Sequence, residues 1–476
     1  MRSVFNVSIL TVAMLVGGCS VGPDYKPPMP DMPESYGATT QPTSWIDLRQ
    51  WWTTFNDATL NSLVDRAAAA NLDLKLAAAR IREARAARGV ANADFYPTVD
   101  GTGSYRRIRN SQSTFNSGSN NNSGSTNFGG SSAERNLFEV GFDSTWEIDV
   151  FGGVRRSVEA ANADIQASIE DQRDVLVTLL GDVARNYVEL RGGQRRLALT
   201  RANLKSQQET LDLTRARFNA GMVGELDVAR AQALADTTAA QIPALRQQVQ
   251  QSIHRLSVLI GREPAALSEE LGAEGPIPTG VSSLPVGMPS DLLRRRPDIR
   301  RAERQLAAQS ARIGVATSDW FPKFSLTGSL GLQSEKFKDL GKSESVFFNY
   351  GPGVRWNLFD AGKIRSNINV QNAREEQQRV QYQQAVLNSL EEVENALTAF
   401  QLEQTRRVSL SSAVEANRRA VRLANDLYSR GLTDYLSVQE SQRNLLAAED
   451  QLAQSETTVS SNLVALYKAL GGGWEE

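Results

Sequence analysis

The chain repeats itself, and that repeat constrains the fold more tightly than its composition does. Asp73, Gly89, Ala91, Pro97 and Gly103 recur as Asp298, Gly314, Ala316, Pro322 and Gly328, always 225 positions later. Trp146, Gly152, Arg155, Gly221, Leu226, Val228 and Gly261 recur as Trp356, Gly362, Arg365, Gly431, Leu436, Val438 and Gly471, always 210 positions later. Two constant offsets mean two copies of one unit. The offset changes between Pro97 and Trp146, so the first copy carries an insertion there. It falls in Ser111–Ser132, rich in Ser, Asn and Gly. Such a stretch cannot bury a core and is expected to form a flexible loop. Five prolines in 264–289 mark the linker between the copies. The first repeat is therefore placed at 56–263 and the second at 290–476.

Within each copy the expected order is helix, strand, loop, strand, long helix, turn, helix. The strands carry the sharpest local pattern. Phe138, Val140, Phe142, Ser144, Trp146 and Ile148 alternate with Glu139, Gly141, Asp143, Thr145, Glu147 and Asp149. That is period two, one face largely apolar and the other polar or acidic. Phe324, Leu326, Gly328, Leu330 and Leu332 repeat it in the second copy, and Val346, Phe348, Tyr350, Val354, Trp356 and Leu358 return it. The first copy's partner strand, Val99, Gly101, Gly103 and Tyr105, is weaker. Strands of this kind suit an outer-membrane barrel, with acidic Asp143, Glu147 and Asp149 toward the lumen or interface water. They equally suit a soluble antiparallel sheet with one face on a core. If they cross a membrane, four strands per chain leave open edges whose unpaired backbone groups are costly in hydrocarbon. Closure then needs several chains. Two would supply eight strands and three twelve, and both numbers are permissible.

The helices are long. No proline occurs between Pro97 and Pro243 or after Pro352. Gly152 to Phe218 reads as nearly one helix, roughly 100 Å at the standard rise. Leu176, Leu179, Leu180, Val183, Tyr187 and Leu190 form its apolar stripe. This length indicates a coiled coil or helical repeat. Pro243 faces Ala453 in the other copy, so a kink is expected in one copy only.

Scarce residues exclude chemistry. Net charge is −2, with one histidine, His254, and one cysteine, Cys19. A phosphate-tracking protein would carry a basic excess, so nucleic acid is not an expected partner. No Cys/His cluster suggests a metal, no cysteine pair a disulfide, and no catalytic motif an enzyme. His254, among Ile253, Leu256 and Leu259, reads as structural. The Arg294–Arg296 run, with Arg300, Arg301 and Arg304, reads as a solvated helix face.

The first residues read as an export signal. Arg2 precedes a mostly apolar stretch from Val4 to Val16, too short to span a bilayer as an ordinary helix. Val16-Gly17-Gly18-Cys19 resembles the bacterial lipoprotein cleavage site, which places the signal peptide at 1–18. It implies S-diacylglycerol and N-acyl groups on Cys19, with no other cofactor. Ser20 after the cysteine resembles the sorting pattern for the outer membrane. Six of the sixteen prolines fall in 21–45, so 19–55 is expected to be the lipid anchor and an extended tether that resists packing.

Three further segments carry a family resemblance. Cys19-Ser20-Val21-Gly22-Pro23-Asp24-Tyr25, Arg294-Arg295-Arg296-Pro297-Asp298-Ile299 and Ala469-Leu470-Gly471-Gly472-Gly473-Trp474 resemble the TolC-like outer-membrane factors, in the lipoprotein branch of OprM, CusC and NodT. The resemblance covers essentially the whole mature chain. It implies a homotrimer of mixed α and β structure: a 12-stranded transmembrane β-barrel, four strands per chain, continuing into a long periplasmic α-helical barrel. It implies passive conduction of drugs or other toxic small molecules through the outer membrane. Partners would be outer-membrane lipids, a periplasmic adaptor (membrane fusion) protein and an inner-membrane pump, commonly of the resistance-nodulation-division class. Alternatives are an exit duct for type I protein secretion and a coiled-coil envelope lipoprotein without transport. Six methionines and one histidine mildly disfavour copper or silver as cargo.

The same resemblance places a gate at the periplasmic tip, formed by the turns at Gly221 and Gly431. Leu436 matches the apolar constriction, and Glu440 stands where relatives commonly have aspartate. Three copies of each would form an apolar ring and an acidic ring. Asp227 and Tyr428 match a pair that hydrogen-bonds between neighbouring helices in a closed tip. Read on their own, they are a helix-cap aspartate and a packed tyrosine.

Overall fold

The computed structural model describes residues 20–37, 48–109, 134–280 and 288–474. The signal segment, Cys19, the Ser111–Ser132 insertion and linker residues 281–287 lie outside the described residues.

The first copy runs through α1 (Ala58–Ala70), α2 (Leu72–Ala93), β1 (Thr98–Ile108), β2 (Arg135–Ile148), α3 (Gly153–Asn219) and α4 (Glu225–Leu259). The second runs through α5 (Pro297–Ser318), β3 (Lys323–Ser334), β4 (Val346–Arg355), α6 (Lys363–Ser429) and α7 (Tyr435–Ala469). Helices α3 and α6 each have 67 residues, and α4 and α7 each have 35. Both pairs sit at the 210-residue offset, while α2 and α5 sit at 225. Helix α4 continues through Pro243, which removes one N–H donor from its ladder. No described helix is long and apolar enough to cross a membrane.

The chain divides into two compact units. One holds residues up to 27, 84–164 and 305–378, and contains the sheet. Its strands are all antiparallel in the order β1-β2-β3-β4. The register stacks the apolar positions on one face. Tyr105 lies opposite Phe138, Phe142 opposite Leu330, Leu330 opposite Phe348, and Phe324 opposite Val354. Among the described residues nothing covers that face: Phe142 is 63 % exposed and Tyr350 77 %. A sheet resting on its own core would bury these side chains, so the soluble-sheet alternative fails here. At the foot of the sheet the Trp146 indole N–H donates to the Phe95 carbonyl, and Trp356 donates to Trp320. The repeat has kept one tie in both copies.

The other unit holds 28–83, 165–304 and 379–476. Its main core takes Leu60, Leu63 and Val64 from α1, Val183, Tyr187 and Leu190 from α3, Ile253 and Leu256 from α4, and Leu463 and Tyr467 from α7. Trp51 stacks on Tyr467 at 5.0 Å between ring centroids. Asp57 caps α1 by accepting from the Leu60 N–H, and also accepts from the Tyr187 hydroxyl.

Three expectations change. The proline-rich segment is extended but docked. In the sheet-bearing unit, the Val21 N–H donates to the Phe151 carbonyl and Asp24 pairs with Arg156. In the helical unit, Tyr36, Leu48 and Trp51 are buried in the core. Proline removes donors, but the aromatic residues between the prolines still supply apolar area to bury. The arginine run is not a solvated face either. Arg295 and Arg296 are buried, and Arg296 bonds to Asp298, Glu392 and the Ala469 carbonyl. Arg300 pairs with Glu170 and lies over the Trp474 ring, with Arg173 over the same ring. Finally, His254 is exposed, outside the apolar stripe of its neighbours.

Candidate functional site

Both helix pairs turn on a glycine in the left-handed region, Gly221 at φ 71° and Gly431 at φ 76°. The turns share one hydrogen-bond pattern. Gly221 N–H donates to the Phe218 carbonyl and Met222 N–H to Arg217; Gly431 N–H donates to Tyr428 and Leu432 N–H to Leu427. This closes the last carbonyls of α3 and α6, and it needs the left-handed residue that glycine supplies without a Cβ clash. Asp434 caps α7 by accepting from the Ser437 backbone and hydroxyl, which hold its carboxyl below the usual range.

Beside the turns sits a small core separate from the main one. Leu211 of α3, Ala231 of α4, Ala424 and Tyr428 of α6, and Tyr435 and Val438 of α7 meet there, with Val228 at its edge. Tyr428 and Tyr435 pack edge to face at 5.9 Å, and the Arg217 guanidinium lies 4.7 Å from the centre of the Tyr428 ring. Arg217 also donates to the Tyr428 carbonyl. Burial, with Tyr428 and Asp227 nearby, pushes the Tyr435 hydroxyl up to about 12.

A buried polar ladder runs away from this core along α3. The Tyr428 hydroxyl donates to Thr214 Oγ1 at 3.2 Å, and Thr214 donates to the Thr210 carbonyl. Thr210 donates in turn to the Ser206 carbonyl and accepts from the Gln442 amide. Further along, Glu449 of α7 accepts from Arg418 of α6 and Asn203 of α3, and Arg196 pairs with Asp450. These bonds tie three helices together and favour one register, since each lost partner strands a desolvated group; Gln442 Oε1 and the Gln207 amide stay without a partner among the described residues.

The four expected site residues fall around this core, in different environments. Tyr428 is buried, and its hydroxyl is spent on Thr214. Asp227 faces Arg230 at 3.8 Å. Among the described residues of one chain, no hydrogen bond joins Asp227 to Tyr428; Tyr435 is what both of them neighbour. Leu436 is 41 % exposed. Glu440 is exposed and makes no ion pair among the described residues, lining a cavity of ≈ 610 Å³ with Leu234, Gln241 and Arg443. Leu432, Leu436 and their repeat counterparts Met222 and Leu226 are all exposed. Each turn therefore offers two large apolar side chains to something outside the chain. Cys19, the fifth expected site residue, lies outside the described residues. Sequence reasoning missed Thr210, Thr214 and Gln442. Their only signal is a polar residue at three- or four-residue spacing on an otherwise apolar stripe. Among the described residues no group of acidic, histidine or cysteine side chains is placed to hold a metal.

Residues 63–262 and 288–472 match the family described as "Outer membrane efflux protein". Nodulation protein T of Rhizobium leguminosarum bv. trifolii is 32% identical over 97% of this chain and 96% of its own length. The solvent efflux pump outer membrane protein SrpC of Pseudomonas putida is 31% identical over 97% of each. The solved outer-membrane channel OprN superposes with a TM-score of 0.87 at 36% identity, covering 96% of this chain and 100% of that one.

Proposed function

The chain belongs to the outer membrane efflux protein family, and from that membership we propose that it is the exit duct of a tripartite efflux pump. The family is one of efflux ducts and not of enzymes. The protein acts as an outer-membrane channel in a multi-component efflux system. The finer reading is a homotrimer whose four-stranded sheets join edge to edge into a 12-stranded barrel. The observation that carries it is the sheet itself: an uncovered apolar face, a polar opposite face, and outer edges on β1 and β4. In hydrocarbon those edges must pair, and only closure with other copies pairs both.

In this reading Cys19 carries the lipid groups, and 20–37 leads from the bilayer to the folded body. The turns at Gly221 and Gly431 form the periplasmic tip. Their exposed apolar residues Met222, Leu226 and Leu432 give a periplasmic adaptor protein a surface to cover. An inner-membrane pump, of the resistance-nodulation-division class, supplies the driving force, since the duct has no energy source of its own. Three copies of Leu436 narrow the tip, and three free Glu440 carboxylates concentrate cations there. Tyr428 and Asp227 act by holding Tyr435 and the tip core in place. Cargo is drugs or other toxic small molecules.

Planar-bilayer recording tests both parts. The purified protein should be a trimer with discrete conductance steps, and Glu440→Ala should lower cation selectivity and raise conductance. A monomer without conductance would sink the duct. Unchanged selectivity and conductance in Glu440→Ala would remove the acidic ring alone.

A further inference from the structure

The two copies share a backbone but not a charge pattern, and the difference gathers at one cavity. The cavity, ≈ 460 Å³, lies where β3 and β4 meet the start of α6. Lys323, Arg355, Lys363, Asp319, Asp360, Phe321 and Ile364 are among its walls. Lys323 opens β3 and Arg355 ends β4, directly opposite in the register. Like charges so placed repel, and they persist only where something offsets them. The carboxylates at hand serve Lys323 or a helix cap, and leave Arg355 and Lys363 unmatched. Asp319 lies 3.0 Å from Lys323, with Glu147 at 3.8 Å. Asp360 accepts from the Gly362 and Ile364 backbone N–H groups as the cap of α6. Arg355 and Lys363 have no carboxylate within ion-pair range among the described residues. The start of α6 adds the partial positive charge of a helix N-terminus.

The first copy shows that the scaffold does not need these charges. At the matching positions it has Thr98 for Lys323, Thr145 for Arg355 and Gly153 for Lys363. Thr98 and Thr145 are also directly opposed, and the Thr98 hydroxyl donates to the Thr145 carbonyl. The first copy has Glu147 where the second has neutral Asn357. At one junction, then, the second copy has three cations in place of neutral residues and lacks one carboxylate. Lys323 and Arg355 project on the polar face of the sheet, opposite to Phe324 and Val354.

We propose that this cavity binds the anionic group of an amphipathic solute moving along the polar face of the sheet. Arg355 and Lys363 meet the carboxylate, sulfonate or phosphate, and Phe321 and Ile364 meet the adjoining apolar part. The site rests on the duct reading, in which the polar face lines the lumen. With three chains it recurs three times around the conduit.

The test uses the full-length protein in phosphatidylcholine bilayers, with 1-naphthalenesulfonate as probe and 1-naphthalenemethanol as its neutral match. The sulfonate, and not the alcohol, should block the conductance from the aqueous side, less so at high salt. Lys323→Thr/Arg355→Thr, which installs the first copy's own pair, should weaken block by about tenfold or more. Native mass and circular dichroism confirm that the variant still assembles, and Thr98→Lys/Thr145→Arg should strengthen block. Equal block by sulfonate and alcohol, or unchanged block in the threonine variant, would overturn the site. Block abolished by phosphatidylglycerol in the bilayer would hand the same chemistry to a lipid headgroup and overturn the solute assignment. A protein that conducts potassium chloride but ignores the sulfonate loses the site and keeps the duct; one that never conducts loses the duct reading.

Discussion

The buried hydroxyl of Tyr428 and its ring do different jobs, and substitution separates them. Tyr428→Phe removes the donor to Thr214, whose own proton already goes to Thr210. No buried donor is stranded, so the cost should be about 0.5–1.5 kcal/mol. Tyr428→Ala also empties the space between Leu211, Ala424 and Tyr435 and removes the support under Arg217. Large-to-small loss of an aromatic side chain costs about 3–5 kcal/mol. Hydrogen exchange of amides flanking 428 should report this order, with faster opening in the alanine variant. Equal effects would mean that the hydroxyl, and not the packing, holds the tip. At this scale the sequence was a partial guide. The family resemblance marked Tyr428 and Asp227 as a pair; within one chain Tyr428 donates to Thr214, Asp227 faces Arg230, and Tyr435 lies beside both. Thr214 lies far from Tyr428 along the chain, and no local pattern announces such a meeting.

At the scale of elements, repetition makes its own control. Gly221 and Gly431 occupy the same turn with nearly the same φ. A left-handed non-glycine residue costs roughly 1–2 kcal/mol. A Cβ on Gly221 would meet open space, while one on Gly431 would lie 3.3 Å from an Arg217 nitrogen. Gly431→Ala should therefore cost more than Gly221→Ala, and local exchange at the two turns would measure the difference. Reversal of that order would mean that Arg217 does not pack on the second turn. Helix lengths and strand alternation were legible because they depend on near neighbours: proline spacing, apolar period and turn glycines. The docking of 20–37 and the burial of Arg295 and Arg296 were not. Composition reports a segment's average preference, whereas a few aromatic residues or a few carboxylate partners decide where it sits.

At the scale of the whole molecule, anchoring and assembly follow from surfaces the single chain leaves uncovered. If Cys19 is the lipid site, cells fed labelled palmitate should label the wild-type protein and not Cys19→Ser, which should still reach the outer membrane through its barrel. Label retained in the variant would refute lipidation at Cys19. The open sheet makes one chain an incomplete object, and in the proposed trimer its apolar face meets lipid and its free edges pair with further copies.

The duplication, the helix lengths, the alternating strands and the absence of catalytic motifs came from the sequence by itself. Each is a property of spacing along the chain. It took the fold to show that the apolar face of the sheet is uncovered among the described residues, that Arg296 is buried, that Tyr428 reaches Thr214, and that Lys323 stands opposite Arg355. These depend on register and packing between residues distant in sequence, where a shift of one residue would turn every side chain of a strand to the other face.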